Sequence, residues 1–298
     1  MQRVGVVGIG EMGIGLAANL IGAGYQVTGF DLRPERCARL EELGGTAATS
    51  VREVAARCEA VFIMVLSGAQ VQAVVVELLE ELPAGATIVV TATITPAEVR
   101  GLLPLVKAKQ VNLIDCPVSG GKPGADAGTL TLMAAAPTAL VEANRGLLEA
   151  VGSKLCHVGE RIGDGQTVKA TLQAVIGGHF AAIFEALVLG VKAGISTQTL
   201  YDVISNTAAG GPLFCNSASL IMQRRFRGTG SHISTMYKDL CISLEVARAN
   251  GVPMFTTAAA KELFQAGIAR FPQEDNWAVV KILEELAGIE VRAEQEGS

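Results

Sequence analysis

Two side chains on one predicted helix could exchange a proton with a bound substrate. Lys169 and Gln173 lie four residues apart, shortly after the glycine-containing turn 163–165, so they project from the same face of the helix. A lysine whose pKa is lowered by burial or by nearby cations can take the proton of a hydroxyl group and return it in the reverse reaction. A lone lysine here would more often be a solvated charge, so the pair indicates acid–base chemistry only together with further motifs.

Ser119, Gly120 and Gly121 could bind an anion. They follow the predicted strand 111–114 after the segment DCPV. A hydroxyl group and main-chain N–H groups at the carboxyl end of a parallel strand can hold a carboxylate. A plain glycine turn is the alternative, and these three residues alone favour it.

A segment near the N-terminus has the G-x-G-x-x-G spacing of a dinucleotide site: Gly8, Ile9, Gly10, Glu11, Met12 and Gly13. The spacing alone is weak evidence, but an apolar strand precedes it and a helix begins within it. Gly8 permits the tight turn, Gly10 lets the backbone approach a pyrophosphate, and Gly13 lets helix and strand pack closely. The helix N-terminus then offers N–H groups to the phosphates.

Asp31 ends the second predicted strand, where a carboxylate can accept both ribose hydroxyl groups of the cofactor. A 2′-phosphate would meet this negative charge at close range. Arg33 could instead pair with that phosphate, although a solvated surface charge is the simpler interpretation. We therefore predict NAD as the cofactor.

The elements around these motifs predict a chain of two parts. Short apolar runs alternate with helical patterns through the first half: runs at 3–8, 25–30, 60–66, 86–90 and 111–114, helices at 12–23, 34–43, 71–79 and 96–108. This alternation predicts an α/β dinucleotide-binding domain, a doubly wound parallel sheet of the Rossmann type, over residues 1–161. Residues 162–298 read as helical throughout, which predicts an all-α substrate and oligomerisation domain joined through the long helix 166–193.

Composition limits the class of protein. The 298 residues carry a net charge of −5 and are 50% hydrophobic, so we expect neither a nucleic-acid partner nor attachment to an anionic membrane. The apolar stretch 172–190 is long enough to span a bilayer, but it contains His179 and Glu185, and we predict burial in protein instead. The six cysteines form no CxxC pair, so we predict no metal site and a reduced, cytoplasmic protein. For His179, within the apolar stretch 172–190, we favour a packing role in the protein core, with a substrate contact as the alternative.

Small residues recur every four positions along the long helix: Ala174, Gly178, Ala182, Ala186, Gly190 and Gly194. Such a row lets another helix approach closely. The row could serve packing within one subunit or an interface between subunits, and periodicity does not decide between them. Because the helix is apolar around most of its circumference, we expect a homodimer or homotetramer.

The motifs together resemble the β-hydroxyacid dehydrogenase family over nearly the whole chain. Residues 8–20 are similar to its cofactor fingerprint, 115–132 to its substrate motif, 163–169 to its catalytic motif and 238–240 to a downstream lysine motif. The resemblance implies that Lys169 is the catalytic lysine and that Ser119, Gly120 and Gly121 hold the substrate carboxylate. It also implies cofactor contacts from Thr93 and Lys238 beside the nicotinamide, and from a covering loop at Leu66 and Ser67.

One departure concerns the substrate. Many members of the family follow the catalytic lysine with two asparagines, where this chain has Leu172 and Gln173. The segment from Lys169 to Glu185 looks more like the L-threonate dehydrogenase branch. We therefore expect NAD-dependent oxidation of a small hydroxycarboxylic acid similar to L-threonate, in which Lys169 is the base and Gln173 orients the reacting oxygen. The alternatives are 3-hydroxyisobutyrate or tartronate semialdehyde chemistry, or a non-catalytic NAD-binding scaffold.

Overall fold

A computed structural model describes residues 2–293. The contacts divide the chain into two compact units, Met1–Lys169 and Ala170–Ser298. Within residues 2–293 all nine strands belong to the first unit: β1 Arg3–Val7, β2 Gln26–Phe30, β3 Thr46–Ala47, β4 Ala60–Ile63, β5 Thr87–Val90, β6 Asn112–Asp115, β7 Val118–Ser119, β8 Thr131–Ala135 and β9 Lys154–Gly159.

The helices of the first unit follow the strands in alternation. They are α1 Glu11–Gly22, α2 Pro34–Glu42, α3 Val51–Arg57, α4 Gly68–Glu81, α5 Pro96–Gly101, α6 Leu103–Ala108, α7 Gly121–Asp126, α8 Thr138–Ala143 and α9 Arg145–Glu149. The long helix α10, Asp164–Lys192, begins in the first unit and continues into the second. The second unit then contains α11 Thr197–Ser205, α12 Pro212–Met222, α13 Ile233–Ala249, α14 Phe255–Arg270, a short 3₁₀ helix Asn276–Val279 and α15 Val280–Ala287.

The strands form one sheet in the order β3-β2-β1-β4-β5-β6-β8-β7, with β9 beside β8. The pairs from β3 to β6 are parallel, as predicted for a Rossmann sheet, and the order reverses direction at β1. β8 departs from the prediction of a parallel sheet because it runs antiparallel to both β6 and β7. The connection from β7 to β8 contains only the short α7, too little chain for a parallel crossover.

Each unit has its own apolar core. In the first unit, continuous apolar strands such as β4 and β5 are buried on both faces by the flanking helices. The core of the second unit centres on aromatic rings, in which Phe180 of α10 stacks on Phe184 and meets the edge of Trp277 at 5.5 Å between ring centroids. The closely packed core of each unit therefore supports the loops at the ends of its helices and, in the first unit, of its strands.

Helix α10 is long and apolar enough to cross a membrane by length and composition alone. This is weak evidence for a membrane span, because the core helix of a soluble protein passes the same test.

The small residues in the row along α10 lie in two different environments. A Cβ on Gly190 would lie 2.5 Å from Leu200, so this end packs within the unit, whereas Ala182 and Ala186 are exposed. His179 is also exposed, so the prediction of a packing histidine is wrong.

Candidate active site

The loop between β1 and α1 has the shape that a pyrophosphate requires. Gly8 has φ +90°, and a Cβ on Gly13 would lie 1.9 Å from the carbonyl oxygen of Gly8. Neither position can therefore carry a side chain without displacing the backbone. The N-cap of α1 is Gly10, which supplies no side-chain cap. The first turn thus presents main-chain N–H groups rather than side chains, as phosphate binding needs.

Asp31 lies at the end of β2, beside this loop. Its Oδ2 accepts hydrogen bonds from Ile9 N at 2.9 Å and Arg36 Nη1 at 3.0 Å, and its Oδ1 accepts one from Arg33 N at 3.0 Å. A carboxylate has about four acceptor positions, so one remains for a ribose hydroxyl group. The residues present therefore fit the adenosine half of a dinucleotide.

Arg36 is a site residue that the sequence reasoning missed. Its guanidinium group lies 3.3 Å from where a Cβ on Gly10 would stand, and it is paired with Asp31. The signal was available, since Arg36 lies in the first turn of α2, five residues after Asp31. The Arg33 side chain, which the sequence analysis considered instead, is exposed.

Leu66 and Ser67 follow β4, the strand next to β1. The Ser67 hydroxyl group accepts a hydrogen bond from Gln70 N at 3.3 Å and caps α4. Leu66 is 70% exposed. The carbonyl oxygen of Met64, just before this loop, lies against Gly8, so the loop and the glycine turn 8–13 are neighbours. That Leu66 and Ser67 cover the cofactor stays a prediction.

Thr93 lies in the loop between β5 and α5. The neighbouring Thr95 starts α5 with a reciprocal capping box, in which Glu98 Oε2 accepts from Thr95 N at 2.7 Å. The side chain of Gln166, from the first turn of α10, is hydrogen-bonded to the residues on both sides of Thr93. The loop is therefore held from two directions.

Ser119, Gly120 and Gly121 form the turn from β7 into α7. Gly120 has φ +135° and Gly121 has φ +59°, a pair of conformations that side chains disfavour. A Cβ on Gly120 would also lie 3.0 Å from Leu130. Ser119 is partly exposed and Gly120 and Gly121 are exposed. This geometry distinguishes the turn from an ordinary connection and leaves its polar groups accessible to a carboxylate.

Asp115, at the end of β6, binds the start of α10. Its Oδ2 accepts hydrogen bonds from Gly163 N at 2.9 Å and Gln166 N at 3.2 Å, while its Oδ1 has no hydrogen-bond partner among the described residues. Burial raises the pKa of Asp115 to about 6, against the opposing effect of the N–H groups of Gln166 and Gly163. No role for this carboxyl group was predicted from the sequence.

Lys169 and Gln173 are both buried, each 6% exposed, and lie one turn apart on the uninterrupted α10. In the second unit, Gln173 Nε2 donates to Asp239 Oδ2 at 2.6 Å. Because a carboxylate only accepts hydrogen bonds, this contact fixes which end of the amide faces Asp239. Lys238 Nζ lies 2.9 Å from Asp239 Oδ1. Asp239 therefore links two predicted site residues, and it was not itself predicted.

The structure brings the predicted residues of the first unit to one edge of the sheet. The turn 8–13, Asp31 and residues 66–67 lie at the carboxyl ends of β1, β2 and β4, around the reversal of strand order. Open α/β sheets bind their ligands at this place. Across residues 2–293, no group of three or more His, Cys, Asp or Glu side chains could hold a metal ion.

Comparisons with known proteins agree with this geometry. Residues 3–159 match a family model described as the NAD binding domain of 6-phosphogluconate dehydrogenase. Residues 163–283 match a model described as NAD-binding of NADP-dependent 3-hydroxyisobutyrate dehydrogenase. Both parts of the chain are thus matched by models of NAD(P)-dependent dehydrogenases.

Individual relatives span nearly the full chain. L-threonate dehydrogenase of Cupriavidus necator is 32% identical over 99% of this chain and 99% of its own, and 2-(hydroxymethyl)glutarate dehydrogenase of Eubacterium barkeri is 32% identical over 98% of each. The crystal structure of 3-hydroxyisobutyrate dehydrogenase from Salmonella typhimurium is 33% identical, with a TM-score of 0.87 over 95% of this chain and 100% of that one. Because family models match residues 3–159 and 163–283 and these relatives cover nearly the full chain at 32–33% identity, the chain belongs to the β-hydroxyacid dehydrogenase family of NAD(P)-dependent enzymes.

Proposed function

We propose that this enzyme oxidises a small hydroxycarboxylic acid similar to L-threonate, with Lys169 as general base and acid. One observation carries the proposal: Lys169 is buried on a helix whose first turn is hydrogen-bonded to the loop carrying Thr93 and to the end of β6. A buried lysine held in that way can exchange a proton with a bound substrate, whereas an exposed lysine would be solvated by water. The L-threonate dehydrogenases among the relatives support the substrate class.

In this proposal, different residues bind the substrate and transfer the proton. NAD, when bound, accepts the hydride that leaves the substrate carbon. Lys169 takes the hydroxyl proton in oxidation and returns it to the carbonyl oxygen in reduction. The turn Ser119–Gly121 holds the substrate carboxylate with its hydroxyl and N–H groups. Together these contacts fix the reacting carbon and limit the reaction to substrates that carry a carboxylate.

Gln173 supports a substrate with several hydroxyl groups. Its amide nitrogen donates to Asp239, so we assign to its carbonyl oxygen the role of accepting a hydrogen bond from a substrate hydroxyl group, in place of the orientation of the reacting oxygen that the sequence led us to expect. A four-carbon sugar acid offers such a group beside the reacting carbon. 3-Hydroxyisobutyrate has a methyl group in its place and would leave this acceptor unsatisfied.

A second candidate substrate is 3-hydroxyisobutyrate itself. The similarity to the Salmonella typhimurium 3-hydroxyisobutyrate dehydrogenase structure supports it. The two candidates share Lys169 and the carboxylate turn, and they differ in what Gln173 must contact. Turnover with each acid separates them directly.

Asp31 supports NAD over NADP. Its carboxyl side chain is only 8% exposed and already neutralises Arg36. A 2′-phosphate would therefore meet a carboxylate instead of an unpaired guanidinium group. Cofactor contacts from Ile9, Glu11, Met12, Leu66, Ser67, Thr93 and Lys238 form part of the same proposal.

The test is Lys169→Ala, assayed by reduced-nicotinamide absorbance with NAD or NADP against L-threonate, D-erythronate, D-glycerate and 3-hydroxyisobutyrate. We expect kcat to fall by about 10²–10⁴-fold, the usual contribution of a positioned acid–base group, while NADH still binds. Lys107→Ala, an exposed lysine on α6, is the matched control and should retain activity. Near-normal turnover by Lys169→Ala would refute the assignment.

We also propose that the second unit pairs with a second copy through α10. Leu189 and Leu286 are 71% and 81% exposed, and Glu185 and Lys192 lie on the same groove. Two α10 helices packed antiparallel around Leu189 would place each Glu185 beside the partner's Lys192. Light scattering should show a dimer or tetramer for the wild type and a smaller species for Leu189→Glu; a monomeric wild type would refute the pairing.

The remaining assignments follow from the same proposal. We place the boundary between the dinucleotide-binding and helical domains at residues 161 and 162. The bacterial relatives and six free cysteines support a cytoplasmic location. The net charge of −5 disfavours nucleic acid as a partner.

A further inference from the structure

The side chain of Gln166 makes two hydrogen bonds that the proposed reaction does not use. Its Nε2 donates to the carbonyl oxygen of Ala92 at 3.0 Å, and its Oε1 accepts from Ile94 N at 3.1 Å. The side chain is fully buried. Both ends of the amide are therefore engaged, and both partners are peptide groups adjoining Thr93.

The main chain of Gln166 is held as well. Its N–H group donates to Asp115 Oδ2 at 3.2 Å, and Gly163 N donates to the same oxygen at 2.9 Å. Asp115 ends β6, four residues before Ser119. Gln166 is thus the residue at which the loop after β5, the end of β6 and the first turn of α10 are joined.

We propose that Gln166 is a positioning residue that sets the distance between Lys169 and the nicotinamide ring. Lys169 lies one turn further along the same rigid helix, and Thr93 lies between the two peptide groups that Gln166 binds. The inference rests on the proposed roles of Lys169 and Thr93. Gln166 itself touches neither substrate nor cofactor in this proposal; it acts through the loop and the helix that it joins.

The contact requires a group that donates and accepts at the same time. Glutamine does both, whereas methionine of similar length has no donor and accepts only weakly through its sulfur. An ionised glutamate would accept from Ile94 N but repel the carbonyl oxygen of Ala92. A protonated glutamate could restore both contacts, so its effect depends on pH.

Loss of the hydrogen bonds from the Gln166 side chain to Ala92 and Ile94 should affect turnover more than cofactor affinity. Displacement of reacting groups by about 1 Å can cost about 10²-fold in rate. The turn 8–13 and Asp31 are held by contacts independent of Gln166. For Gln166→Met we therefore expect kcat to fall by about 10²-fold while the Kd of NADH changes by less than about threefold.

The first experiment measures these two constants for Gln166→Met together with the fluorescence lifetime of bound NADH. The lifetime reports how firmly the reduced nicotinamide is held and needs no hydroxyacid, and we expect it to shorten. The matched control is Asn144→Leu, which removes another buried amide of the first unit, bonded to Leu140 within α8. This control should change neither kcat nor the lifetime, even where its melting temperature falls.

The second experiment uses Gln166→Glu. The ratio of its kcat to that of the wild type should rise by about tenfold for each unit of falling pH above the pKa of the new carboxyl group, because the protonated form restores the donor. A purely structural role would lower the melting temperature without this recovery of turnover.

The outcomes separate this inference from the proposed function. An unchanged lifetime with kcat within threefold of wild type overturns the role of Gln166. Equal losses of kcat and NADH affinity, without recovery of Gln166→Glu at low pH, also overturn it. Normal turnover by Lys169→Ala would instead refute the proposed function, and the NADH lifetime would still decide whether Gln166 holds the loop against the nicotinamide.

Discussion

Asp115→Asn should flatten part of the pH dependence of folding stability. Burial raises the pKa of this carboxyl group from 3.8 to about 6 in the folded protein, so the folded state binds its proton more tightly than the unfolded state does. The stability contributed by the protonated group is fully present below pH 3.8 and is lost as the pH rises through 6. At neutral pH the ionised, buried carboxylate therefore costs folding free energy.

The magnitude follows from the shift. The rise from 3.8 to about 6 corresponds to about 3 kcal/mol in the free energy of unfolding. About 1 kcal/mol of this is lost between pH 5 and pH 8, a range in which unfolding can be followed. The asparagine variant has no carboxyl group here and should not lose that amount.

The assay is urea unfolding of the apoenzyme at pH values from 5 to 8. The difference in unfolding free energy between Asp115→Asn and wild type should change by about 1 kcal/mol in favour of the variant as the pH rises. Asn144→Leu removes no titratable group, so its curve should run parallel to that of the wild type. A parallel curve for Asp115→Asn would refute the reasoning, whatever the absolute stability of the variant.

Three further substitutions test the site. Asp31→Ser releases Arg36 and removes the charge facing a 2′-phosphate, so the affinity for NADPH relative to NADH should rise by about 100-fold in fluorescence titrations; an unchanged ratio would contradict the role of Asp31. Gly13→Ala would place a Cβ 1.9 Å from Gly8 O and should weaken NADH binding by at least about tenfold, whereas Gly22→Ala on the same helix meets no atom within 4 Å and should bind normally. Gln173→Asn shortens the side chain that reaches Asp239, and its kcat/KM for L-threonate should fall by about tenfold relative to 3-hydroxyisobutyrate; equal losses on both acids would contradict a specificity role.

Local patterns were sufficient to predict five of the nine strands among the described residues of the first unit (β1, β2, β4, β5 and β6), but not β3, β7, β8 or β9. The apolar runs of β1, β4 and β5 and the glycine spacing at 8–13 each reflect a constraint among near neighbours in sequence, and the structure has those strands and that turn. The predicted helix 96–108 is two helices in the structure, α5 and α6, which meet at Leu102 just before Pro104. Proline has no N–H group to continue the helical hydrogen bonds, and this signal was present but not used.

Other features depend on contacts between distant residues. The antiparallel placement of β8 follows from its pairing with β6 and β7, which no periodicity within 131–135 reveals. Asp115 and Asp239 act through partners 48–51 and 66 residues away. The exposure of His179 depends on which helices cover α10. Such facts are properties of the folded arrangement, so composition and spacing could not supply them.

The anchors of the candidate site bind peptide groups: Gln166 holds Ala92 O and Ile94 N, and Asp115 holds Gly163 N and Gln166 N. Every residue type carries a peptide carbonyl, and every type except proline an N–H group, so these attachments tolerate replacement of the side chains at the anchored positions. Evolution could thus change the chemical character of the pocket while the reacting geometry stays constant. An engineer who wants a new hydroxyacid specificity should randomise positions such as 172 and 173 and keep Asp115 and Gln166 fixed.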